Sequence, residues 1–85
     1  MHFTDTEIEE FEQIALHFTT ELKDLDSVYE RLGWAELELH DTCYFNRKFN
    51  KRYKTDDMLK VINECKKRIE RMERFGIWLE QNYGI

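Results

Sequence analysis

No proline occurs anywhere in the 85 residues, and the three glycines stand at positions 33, 76 and 84. A chain without proline keeps every backbone N–H and meets no ring clash, so helices can run long. The apolar spacing uses that freedom. Ile8, Phe11, Ala15, Phe18, Leu22, Leu25, Tyr29 and Leu32 alternate steps of three and four, which is a heptad seam. Met58, Ile62, Cys65, Ile69, Met72, Gly76, Leu79 and Tyr83 repeat the pattern near the C-terminus.

Stop and start signals divide the chain. Thr4-x-x-Glu7 and Thr6-x-x-Glu9 both offer a capping box before the first seam, and Gly33 offers a C-terminal stop. A helix over about 5–32 is predicted, with a kink available at Asp26 or Ser27. Thr55-Asp56-Asp57 supplies an N-cap and negative charge for a last helix over about 56–82. Gly76 on its seam implies a close neighbour or a bend. Between the two, Ala35-Glu36-Leu37-Glu38-Leu39 alternates as a strand would, but a lone strand has nothing to pair with. Phe45, Phe49 and Tyr53 recur every four residues, so a middle helix over about 35–53 is the better reading. The expected fold is a single all-α domain over 1–85, a three-helix bundle whose long helices pack antiparallel with Glu21 near Arg68.

Charge is sorted along this frame. Residues 1–41 hold twelve acids against Lys23 and Arg31, while residues 42–85 hold eleven bases against six acids, for a net −5. The basic half includes Arg47, Lys48, Lys51, Arg52, Lys67 and Arg74, which would give a nucleic-acid-binding surface if they met on one face. The acidic net charge and the lack of any nucleic-acid motif make this the second reading. The acidic half invites phosphate mimicry, but charge runs on helices are ordinarily solvated faces.

Candidates for chemistry are sparse. His17, His40, Asp41, Cys43 and Cys65 are potential metal ligands, and their spacing matches no finger or ribbon. Residue 37, three before His40, is Leu, which breaks the Glu-x-x-His di-iron pattern. There is no glycine-rich phosphate loop, His-Glu-x-x-His or nucleophile elbow, and His17 with Glu21 is the nearest approach to an acid–base pair. The expectation is a non-enzymatic protein without metal or cofactor. Cys43 and Cys65 are expected as free, buried thiols in a reducing cytoplasm, because the chain starts without a secretory signal and holds no membrane-length apolar run.

Apolar residues outside the seams point to binding. Phe75, Ile77 and Trp78 flank Gly76 and would form an exposed patch rimmed by Arg71 and Arg74. The sequence therefore predicts a protein-binding module that self-associates as a homodimer and acts on a larger protein through that patch. Small acidic helical proteins of this kind are a habitual product of phages and other mobile elements, which use them to inhibit or redirect host proteins.

Overall fold

The computed structural model describes residues 2–84; Met1 and Ile85, the ends of the 1–85 domain range, lie outside them. The fold is an all-α bundle of three helices, α1 over Asp5–Leu16, α2 over Phe18–Phe49 and α3 over Asp56–Tyr83. Three helices were expected, and α3 lies within one residue of the predicted 56–82, but the boundaries of the first two fall elsewhere. The first break comes at His17, and the chain then runs through Gly33 without interruption.

Local propensity and burial explain the move. His17, Phe18, Thr19 and Thr20 are four poor helix formers in succession. At His17 the backbone opens to φ −118°, ψ 33°, and its N–H is shared between the carbonyls of Gln13 and Ile14 at 3.2 Å. An unbroken helix over 5–49 would be about 68 Å long, beyond the 55 Å of the longest dimension. Instead α1 turns back, which brings Phe11 and Ile14 against Phe75 and Trp78. Gly33 costs a helix only about 1 kcal/mol, less than the burial gained by continuing α2.

α2 and α3 pack antiparallel, since Phe18 meets Phe75, Glu21 meets Arg71, and Phe45 lies near Tyr53. The face of α2 turned to α3 is Glu21, Leu25, Val28, Leu32, Ala35, Leu39, Thr42 and Asn46, all buried or half-buried. This too is a heptad, displaced by one residue from the predicted line beyond Leu25 and Leu32. The displacement leaves Phe18, Leu22 and Tyr29 exposed on the flank of α2. In α3 the predicted seam is buried or half-buried from Met58 to Met72, and then the buried line shifts to Phe75 and Trp78 where α1 arrives. A methyl group added at Gly76 would meet nothing within 4 Å, so no close neighbour requires that glycine.

The start of α1 and the end of α2 are fixed by specific bonds, whereas α3 begins at Thr55 with no side-chain capping bond. Thr4 and Glu7 form the first capping box: Glu7 N–H donates to Thr4 Oγ1 at 3.1 Å, and Thr4 N–H donates to Glu7 Oε1 at 3.2 Å. α2 stops four residues short of its predicted end, at Asn50 in the left-handed region with φ 53°, which asparagine tolerates. The connection is then clamped by Asn46, whose Nδ2 donates to the Tyr53 carbonyl while Tyr53 N–H donates to its Oδ1, both at 3.0 Å. That reciprocal pair holds Tyr53 and Lys54 at the mouth of the hairpin. No helix among the described residues is long and apolar enough to cross a membrane.

Candidate protein-binding groove

The predicted anchors belong to the core. Phe75 is 2% and Trp78 7% exposed, packed with Phe11 at ring separations of 6.1 and 5.6 Å, and Ile77 is half-buried. Their expected exposure followed from their lying off the predicted α3 seam, but the break at His17 sends α1 onto that flank, where Phe11 and Ile14 cover them. The two arginines expected as a rim are held within the chain. Arg74 Nε–H donates to Glu7 Oε2 at 2.7 Å and its guanidinium lies 5.1 Å from the centre of the Phe3 ring. This hydrogen bond, with that from the Thr4 backbone N–H, holds the Glu7 carboxyl below the usual glutamate range and raises Arg74. Arg71 pairs with Glu21 at 3.7 Å, taking the place predicted for Arg68, which lines the same small recess.

An open apolar surface lies at the other end. Between the second half of α2 and the start of α3 runs a groove of about 470 Å³ lined by Trp34, Leu37, Glu38, Asp41, Thr42, Phe45, Tyr53, Lys54 and Met58. A second depression of about 380 Å³ shares Trp34, Glu38, Lys54 and Met58 and adds Arg31, Ala35, Asp57 and Val61, so the two form one open channel. Trp34 is 66%, Phe45 48% and Tyr53 63% exposed. Toward the tip, Phe45 stacks on Phe49 with ring centres 5.4 Å apart, and Lys48 Nζ donates to the Tyr44 hydroxyl at 3.2 Å. Val61 and Phe75 stand two heptads apart on α3, as do Asp57 and Arg71. The groove is therefore the continuation of the face that α1 covers further along.

Sequence reasoning recognised the Phe45–Phe49 stripe but passed over Trp34 and Leu37. The available signal was their spacing, with Trp34, Leu37, Asp41 and Phe45 recurring by threes and fours beside the seam.

The basic residues divide. Arg47, Lys48, Lys51 and Arg52 are exposed at the hairpin tip. Lys67 lies about 17 Å along α3 from Asp56 and Arg74 about 27 Å, so the structure does not gather all six. Cys43 and Cys65 are both free, but Cys43 is exposed where burial was expected, because the α2 seam passes through Leu39 and Thr42. His40 Nδ1 lies 3.7 Å from Asp41 on open surface, and the Glu21 carboxylate turns to Arg71. Among the described residues no three His, Cys, Asp or Glu side chains gather closely enough to hold a metal ion.

What the site defines is a class: a helical hairpin with an apolar groove and a charged rim. Compared with protein-family models, curated proteins and solved structures, the chain matches none.

Proposed function

We propose that this chain is a non-catalytic protein-interaction module that binds polypeptide through the open groove of the α2–α3 hairpin, acting in the cytoplasm as a small inhibitor or adaptor, of the kind mobile elements encode. One observation carries the reading: Trp34, Leu37, Phe45 and Tyr53 converge on a single groove while remaining about half or more exposed. Four aromatics at the exposures of Trp34, Phe45, Phe49 and Tyr53 leave roughly 450 Å² of aromatic surface in water, given about 200 Å² for each buried ring. That is already the size of the largest apolar patch on an ordinary monomer, and such patches mark interaction sites. Glu38, Asp41, Lys54 and Asp57 give the groove a polar rim, as interfaces have.

A photo-crosslinking side chain tests this. Placed at Leu37 it should yield polypeptide adducts in the source cell that disappear with Trp34→Glu; placed at Leu16, exposed but outside the groove, it should yield none. Equal labelling from both positions would refute the reading. The five bases between Arg47 and Lys54, set beside Tyr44 and Tyr53, support nucleic-acid binding as a second reading. A gel shift that weakens steeply with salt and is abolished by Lys51→Glu with Arg52→Glu would favour it instead.

A further inference from the structure

The partner that fits the groove can be named by chemistry. We infer that it is a second copy of this chain, docked groove to groove about a two-fold axis with the hairpins antiparallel, so that the tip of each lies along residues 30–41 of the other. The inference rests on the reading of the groove as a protein-binding surface.

Area is the first argument. The chain exposes 6944 Å², whereas a compact protein of 10.5 kDa exposes about 5400 Å². Its radius of gyration is 17.2 Å, against about 12 Å for a compact chain of this length. A standard interface removes about 800 Å² from each partner, so the surplus suffices to supply one. Burying the groove of one copy on that of another gives the hairpin end the four-helix core that α1 is too short to complete.

Charge supplies the second argument and fixes the direction. Residues 30–41 carry four acids against Arg31, and residues 47–54 carry five bases and no acid. A parallel pairing would set tip against tip and acids against acids. The antiparallel one sets each basic tip against the acidic stretch of its mate, twice over by symmetry. The same apolar groove lies between the charged flanks of both copies, so the surface is complementary to itself.

The test is sedimentation of the full chain over a hundredfold concentration range. Wild type should dimerise at micromolar concentration, and Trp34→Glu should weaken the dimer by roughly thirtyfold or more while keeping its helicity. Leu37→Glu, also at an exposed position, provides an independent check. Glu38→Lys with Asp41→Lys should weaken self-association, as should Lys51→Glu with Lys54→Glu. Mixed together, the two variants should form a heterodimer tighter than either homodimer, because one contact then keeps the native charges and the other sets the introduced bases against the introduced acids. A dimer indifferent to the groove substitutions, or a mixture no tighter than its components, would overturn the proposal. A wild type monomeric throughout would overturn it too; polypeptide adducts at Leu37 would then preserve the groove reading, and their absence would remove both.

Discussion

Truncating Phe11 should release α1 while leaving the α2–α3 hairpin folded. Phe11 is 1% exposed and touches the Phe3, Phe75 and Trp78 rings at 5.4, 6.1 and 5.6 Å. Phe→Ala at such a site costs about 3–5 kcal/mol in lost transfer energy and cavity. A chain of this length has about 4–13 kcal/mol in all. α1 holds to the rest chiefly through Phe11 and Ile14, and a helix of 12 residues is marginal by itself. The loss therefore falls on one element. Two probes separate local from global failure. Trp78 is buried beneath α1 whereas Trp34 lies in the hairpin groove away from it, so Phe11→Ala should red-shift tryptophan emission by exposing Trp78. Cys65 lies in the α2–α3 seam and should remain slow toward a thiol reagent, with the exposed Cys43 reacting at once. Unchanged emission and melting would show that α1 is not held by Phe11. Equal reactivity of both thiols would show that the hairpin cannot stand without α1.

Three other perturbations read separate parts of the argument. Asn46→Ala removes both hydrogen bonds to Tyr53 and should cost about 1–2 kcal/mol, lowering Tm by roughly 5–10 °C in a thermal melt. Gly76→Ala, with open space around the new methyl, should stabilise α3 by about 0.5–1 kcal/mol, measured by denaturant unfolding; destabilisation would reveal a neighbour at that point. The Glu7 carboxyl is held below its ordinary value near 4.5 by Arg74 and then by Thr4, so its contribution is in force above that value and is lost as pH falls through the lower native pKa. Acidification should loosen α1 before the hairpin, followed by Trp78 emission, and Glu7→Gln should remove that early phase.

The helical class, the Thr4–Glu7 capping box and the α3 seam from Met58 to Met72 were legible because each depends on neighbours one turn away, whereas Thr55, expected to cap α3, stands at its start with no side-chain capping bond. Thr4 with Glu7 and Met58 with Ile62 carry their own geometry. The α2 seam was harder. Phe18, Leu22 and Tyr29 form as regular an apolar line as Glu21, Val28 and Leu32 do with their neighbours, and heptad spacing does not state which of two adjacent lines meets a partner. Glu21 occupies a seam position as an ion pair with Arg71, a contact 50 residues away in sequence. Tertiary pairing decided the register, and one-dimensional periodicity does not contain it.

The candidate site was misplaced for one reason, and the same reason explains why there is a groove at all. With a helix over 5–32, about 42 Å long, the first element could have covered the whole of α3, which has the same length. Phe75, Ile77 and Trp78 then stood out as surplus. With the break at His17, α1 spans only about 18 Å and covers the C-terminal end of α3, where Phe75 and Trp78 receive Phe11 and Ile14. The remaining length of that face, from Val61 back to Met58 and across to Trp34 and Phe45, meets no helix among the described residues. Its apolar side chains are therefore left open within the chain, and a break of one residue in α1–α2 has moved the surplus from one end of the bundle to the other.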